Sequence, residues 1–210
     1  MKKQFKSSGF TFKVVSETPQ SVLNQFNKVV NAYAHDNGVE SLRALLDFIG
    51  GGACGKVFDL GNGYVIKVND GNWTNTTRDG EILEALQGLP FIPKLYAYSL
   101  DNKFMLVQKI EGQTLSSWHC GRDQWSGKSK EELLKDYETF RAGCLERGWR
   151  AGDMHESNMM VDANSFWIVD VGLYKEWEEG QGEGWCFNDI EWSLKRLSDS
   201  AQARRELVAV

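Results

Sequence analysis

Apolar and polar positions alternate along this chain with two different periods, and the period divides it into elements. Val22, Leu23, Phe26, Val29, Val30 and Tyr33 recur at helical spacing and predict one amphipathic helix. Thr18 reads as its cap, Pro19 as its first helical residue, and Asp36-Asn37-Gly38 as its end. Ahead of it Phe10, Phe12 and Val14 alternate within a basic stretch that fits either a short strand or a disordered leader. A shorter apolar series, Leu42, Leu45, Leu46, Phe48 and Ile49, runs into a cluster of glycines. From there period two takes over. Val57-Phe58-Asp59-Leu60 and Tyr64-Val65-Ile66-Lys67-Val68 flank Gly61-Asn62-Gly63 and predict a β-hairpin. A loop bounded by Pro90 and Pro93 leads into a strand ending near Tyr98, and after a turn at Asp101-Asn102 comes the strand Phe104-Met105-Leu106-Val107-Gln108.

Helical spacing returns with Leu133, Leu134, Tyr137, Phe140, Cys144 and Leu145. Ser129 with Glu132 three residues on predicts a capping box at the start of that helix. Met159 to Val161 and Phe166 to Val169 flank Asp162-Ala163-Asn164-Ser165 and predict a second hairpin. A last helix is expected over residues 188–197, with a polar tail from Ser198. The mixture predicts an α+β fold.

Composition narrows the function classes. At 210 residues, with 41% hydrophobic residues including eight Trp and eleven Phe, the chain can build one domain or two small lobes sharing a cleft. A charged fraction of 25% and a net charge of -5 leave no basic field for nucleic acid and no membrane-adhesive surface. No stretch is long and apolar enough to span a bilayer, and the basic start, Met1 to Lys6, is followed by no apolar run of a secretory leader. Cys54, Cys120, Cys144 and Cys186 form no C-x-x-C pair, so free thiols in a reducing cytoplasm are expected. His119-Cys120 has no other His or Cys nearby to complete a metal site. The glycosylation-type triplets at Asn72 and Asn75 stand without any other sign of secretion.

Three patterns carry chemistry. Gly50-Gly51-Gly52-Ala53-Cys54-Gly55-Lys56-Val57 is a G-x-G-x-x-G-x-V match. A dinucleotide-binding turn reads similarly but opens a helix, whereas strands follow here; glycines in such a loop let backbone N–H groups approach phosphate oxygens. Lys67 lies within a β-branched strand, where it is either on a solvated edge or buried against an anionic partner. Finally, Asp153, Asn158 and Asp170 form D-x-x-x-x-N followed by D-x-G, and the hairpin between them brings Asn158 and Asp170 side by side. Two carboxylates and a carboxamide suit Mg²⁺ and proton acceptance; the plainer alternative is a hairpin with polar loop residues.

Taken in order, the glycine loop, strand lysine, acidic helix, D-x-x-x-x-N and D-x-G resemble the protein-kinase-like superfamily over roughly residues 48–197. The resemblance implies a two-lobed fold, with a β-rich N-lobe over 48–108 and a small, truncated, mainly helical C-lobe over 109–210, preceded by a leader and helical extension over 1–47. It implies ATP and Mg²⁺ as cofactors. Gly50, Gly52, Gly55 and Val57 would cover the phosphates, Lys67 would grip the α and β phosphates, and backbone groups near Gln108 and Ile110 would meet the adenine edge. Asp153 would be the catalytic base, with Asn158 and Asp170 as metal ligands. The acid that orients Lys67 is Asp79 by register, three residues before Ile82-Leu83, with the longer Glu81 as the alternative. Asp189 would brace the catalytic-loop backbone or simply cap its helix, and the acidic, glycine-rich stretch from Trp177 to Gly184 would be a mobile loop.

Two residues depart from the family pattern: Ala151 stands where a His is usual and Val171 where the Phe of D-F-G is usual. Gly152-Asp153 followed by His155 is similar to the atypical branch, which includes aminoglycoside and choline kinases, RIO-type kinases, small kinases of tRNA-modification complexes and early kinases of podoviruses. A protein serine/threonine kinase of the cytoplasm, the host's if the chain is phage-encoded, is the favoured expectation, because only 37 residues follow Leu173 to build a small-molecule pocket. A small-molecule phosphotransferase and a nucleotide-binding pseudokinase acting on a partner protein are the alternatives.

Overall fold

The computed structural model describes residues 3–36, 38–52, 55–70, 78–115, 127–162, 164–184 and 186–196. Ala53, Cys54, the triplets at Asn72 and Asn75, His119-Cys120 and the tail from Ser198 lie outside them. The fold is mixed α+β and divides into two compact units. One holds the described residues up to Glu84 together with Pro93–Lys109; the other holds Ala85–Ile92 and the described residues from Ile110 onward. No helix among the described residues is long and apolar enough to cross a membrane.

The first unit is built on a seven-stranded antiparallel sheet of β1 (Gln4–Ser7), β2 (Phe10–Val14), β3 (Phe48–Gly51), β4 (Lys56–Gly61), β5 (Tyr64–Val68), β6 (Leu95–Ser99) and β7 (Phe104–Gln108), ordered β1-β2-β6-β7-β5-β4-β3. Residues 4–14 are thus strands of this sheet, with Phe12 paired to Ser99. The hairpin between β4 and β5 turns through Gly61, Asn62 and Gly63 at φ 82°, 54° and 81°, a left-handed run that explains why that sequence stands there.

Helix α1 (Gln20–His35) buries Val22, Phe26, Val29 and Val30 against one face of the sheet, joined by Leu42 of α2 (Val39–Leu45). Phe12 stacks edge-on against Phe26 at 5.2 Å and Tyr33 against Phe104 at 5.1 Å. Each Phe so buried contributes about 1.5–3 kcal/mol. The start of α1 differs from the sequence expectation by one residue. Pro19 takes the cap position, and the Thr18 hydroxyl donates instead to the Ser16 carbonyl at 2.8 Å, a local bond that competes with capping.

The second unit contains α4 (Lys130–Glu146), α5 (residues 186–196) and five short strands: β8 (Gln113–Thr114), β9 (Trp149–Arg150), β10 (Met159–Val161), β11 (Phe166–Ile168) and β12 (Lys175–Glu176). The expected capping box closes α4, Glu132 N–H donating to the Ser129 hydroxyl and Ser129 N–H to the Glu132 carboxylate. Its buried stripe, Leu133, Tyr137, Phe140 and Cys144, meets Phe91 and Phe187. Phe91 also packs edge-on against Phe166, and its carbonyl accepts from Ile168 N–H at 2.8 Å, which brings residues 85–92 into this core.

Candidate functional site

One group of candidate residues lies on β3, β4, β5 and α3 (Asp79–Ala85). In β5 the residues Ile66 and Val68 face the α1 core, so period two turns Lys67 to the opposite face of the sheet, in register with Val57 of β4. There its ammonium meets Oδ1 of Asp79 at 2.6 Å, the two side chains being only 12% and 3% exposed. Glu81, the alternative partner, instead pairs with Arg78 at 2.9 Å on the exposed side of the helix. Register therefore outweighs side-chain length: two residues along α3, roughly half a turn, carry the longer acid away from the strand.

The three glycines of the loop play different parts. A Cβ added at Gly50 or Gly52 would meet nothing within 4 Å. At Gly55 it would stand 3.0 Å from both the Val68 carbonyl and the Asn69 side-chain oxygen and 3.5 Å from Cε of Lys67. Gly55 is thus packed against the lysine, whereas Gly50 and Gly52 border open space, Gly52 N–H donating back to the Gly55 carbonyl at 3.0 Å.

Gln108 is tied into the sheet. Its N–H donates to the Lys94 carbonyl at 2.9 Å, its side-chain oxygen accepts from Lys94 N–H at 3.1 Å, and the next N–H, of Lys109, goes to the Gly63 carbonyl. These bonds take up the N–H groups of residues 108 and 109. Ile110, in the second unit, makes no backbone hydrogen bond among the described residues.

A second group of candidate residues lies on a loop and hairpin in the other unit. β10 and β11 pair Met159 with Ile168, and one step further Val169 N–H donates to the Asn158 carbonyl at 3.0 Å, so Asn158 and Asp170 are near neighbours. The Asn158 side chain donates to the Asp153 carbonyl at 2.7 Å, and Gly172 N–H donates to the Asp170 carboxylate at 3.1 Å. That bond commits the Asn158 side-chain nitrogen, so its side-chain oxygen is the atom that could serve a cation. Asp153 stands at φ 52° with its side chain 53% exposed, 3.9 Å from the equally exposed His155. His155 accepts from Ser157 N–H through Nδ1, which places its proton on Nε2, the nitrogen facing Asp153.

Buried residues hold this loop. A Cβ on Gly152 would collide with the Leu173 carbonyl, so the chain before Asp153 and the chain after Asp170 touch backbone to backbone. Met154 is buried and accepts from the Tyr174 hydroxyl at 3.5 Å, while complete burial pushes the Tyr174 phenol well above its usual range. Ala151 and Val171, the two departures from the family pattern, are both buried.

Asp189, in the first turn of α5, makes no hydrogen bond to the 151–153 backbone among the described residues; the α4 side chain Tyr137 reaches α5 instead, donating to the Phe187 carbonyl at 2.9 Å. β12, just ahead of the acidic stretch, pairs with β9, and within the stretch Glu183 meets Arg141 at 2.5 Å and the Gly182 carbonyl accepts from Arg150. The sequence also gave no sign of Asn69 and Asn102, whose amides surround Asp79 and Gly80. Among the described residues no three His, Cys, Asp or Glu converge as a metal cluster; the oxygen set above counts a carboxamide. No protein-family model and no curated protein sequence matches this chain.

Proposed function

We propose that the protein is an ATP- and Mg²⁺-dependent phosphotransferase of the protein-kinase-like superfamily, transferring the γ-phosphoryl group to a serine or threonine hydroxyl of a protein. The observation that carries this reading is the Lys67–Asp79 pair at 2.6 Å beside a glycine hairpin. A lysine withdrawn from water costs stability unless it is paired, and an exposed residue would serve a merely structural strand as well. In this reading the two compact units are the β-rich lobe and the smaller, truncated, mainly helical lobe.

Lys67 binds the α and β phosphates while Asp79 keeps its ammonium aimed. Gly50 and Gly52, with open space where side chains would stand, let the phosphates approach the backbone of this loop. Asn158 and Asp170 supply oxygen donors, which fit Mg²⁺ by their hardness. When bound, the metal neutralises charge on the phosphates. Asp153 aligns the acceptor hydroxyl and takes its proton; with its side chain half exposed, a hydroxyl carried on a macromolecule can reach it.

The test is incubation of the full chain with labelled ATP, Mg²⁺ and a cell lysate beside an Asp153→Asn control. Label on protein bands, lost in the control, is expected. Label confined to small metabolites would move the acceptor to a small molecule, and nucleotide binding without transfer would make the chain a pseudokinase. Absence of nucleotide binding would overturn the reading.

A further inference from the structure

Asp79 is held by more than the lysine. Asn69, 1% exposed and two residues beyond Lys67, donates its side-chain amide to Oδ2 of Asp79 at 3.1 Å and to the Asn102 carbonyl at 2.7 Å. Both partners are acceptors, so the amide must present its nitrogen to them. Asn102, in the turn between β6 and β7 at φ 57°, accepts the Gly80 N–H at 2.8 Å with its own side-chain oxygen. That bond satisfies one of the donors a helix leaves unpaired in its first turn.

The far end of α3 is fastened as well. Glu84 accepts from the Tyr98 hydroxyl at 2.8 Å and from Lys13 of β2 at 2.6 Å. Between the two ends Gly80 lies so close to the Tyr98 ring that a Cβ there would collide with it. An aspartate is one methylene shorter than the glutamate usual in this role, so α3 must lie nearer the strand for Asp79 to reach Lys67. Gly80 permits that approach, and the two asparagines maintain it.

We propose that Asn69 is the positioning residue of the Lys67–Asp79 pair and that, with Asn102, it latches α3 so that the lysine is aimed before any nucleotide arrives. No swing of the helix is then needed to assemble the pair. The kinetic consequence rests on the reading of Lys67 as a phosphate-binding lysine; the latch itself is a property of the chain's own hydrogen bonds.

Residue-resolved hydrogen exchange on the full chain, with and without Mg-ATP, tests it. The Gly80 amide is expected to exchange as slowly as the Ile66 and Leu106 amides of the central strands, and to change less than about twofold when Mg-ATP is added. A Gly80 amide that exchanges freely until nucleotide binds would overturn the latch. This measurement needs no variant and stands even if wild-type protein fails to bind Mg-ATP, an outcome that would sink the functional reading alone. In Asn69→Leu, which keeps the volume and removes the donor, Gly80 protection should fall and KM for ATP should rise on the order of tenfold with kcat within about twofold. A folded Asn69→Leu protein with unchanged Gly80 exchange, or with kcat lowered at unchanged KM, would overturn the assignment of Asn69.

Discussion

The side-chain amide of Asn158 donates to the backbone carbonyl of Asp153 at 2.7 Å, closing a loop whose first residue has a left-handed backbone at φ 52°. A non-glycine residue tolerates that conformation best when it is Asp or Asn. One carboxamide therefore sets the posture of Asp153 and commits only its nitrogen to doing so. Position 153 fits this backbone by type, and position 158 enforces it.

Asp153→Asn should leave stability within about 0.5 kcal/mol of wild type, since Asn accepts the same backbone and the side chain is half exposed. Phosphoryl transfer should nonetheless fall by about two to four orders of magnitude, the usual worth of a positioned general base. Urea unfolding and steady-state assay on one preparation check the two halves together. A variant that unfolds readily would show that Asp153 supports the fold rather than the reaction. Asn158→Leu should behave differently, losing about 1–2 kcal/mol as the loop comes undone along with activity.

Glycines separate by what surrounds them. Gly152→Ala should destabilise by about 1–3 kcal/mol, because its Cβ meets a backbone carbonyl, that of Leu173, which cannot turn aside as a side chain can. Gly50→Ala, outside the left-handed region and with nothing within 4 Å, should be neutral or slightly stabilising while weakening nucleotide binding. Equal unfolding midpoints for the two variants would contradict the contrast.

Ser129→Ala should cost about 1 kcal/mol, with Glu132→Ala smaller and not additive to it, since both bonds belong to one reciprocal cap. Urea midpoints of the two single variants and the double variant supply the cycle. This cap was legible in the sequence because its partners are three residues apart, whereas Asp79 was reached through the register that the family resemblance implies. The Asn69–Asn102 contact was not, for it joins positions 33 residues apart through a sheet whose strand order no local pattern encodes. Asp189 fits a brace or a helix start equally by residue type, and no local sequence pattern separates the two. Gln108 was placed correctly in its strand, yet which of its donors the ladder consumes depends on Lys94, across the sheet.

The first unit should lose stability at both ends of the pH scale through one exposed cluster. Asp70 accepts from the Tyr33 hydroxyl and from Lys103, each at 2.8 Å, and Lys103 lies 5.0 Å over the Tyr33 ring. Burial alone would push the Asp70 carboxyl up, but the hydrogen bonds from Lys103 and Tyr33 hold it below its ordinary value. Burial would lower Lys103, and its bond to Asp70 overcomes that, so its ammonium is held above the ordinary value; Tyr33 is raised chiefly by burial. A carboxyl lowered by folding contributes stability that is present above its unfolded value and disappears as pH falls through the folded one, here from about pH 4 downward. A lysine and a phenol raised by folding contribute stability that is complete below their unfolded values and disappears as pH rises, here from about pH 10 upward. Asp70→Asn removes the carboxylate from both limbs. Urea midpoints followed across pH should therefore differ most between wild type and Asp70→Asn on the neutral plateau and converge toward pH 2. A difference that persists undiminished in acid would assign the variant's effect to packing rather than charge.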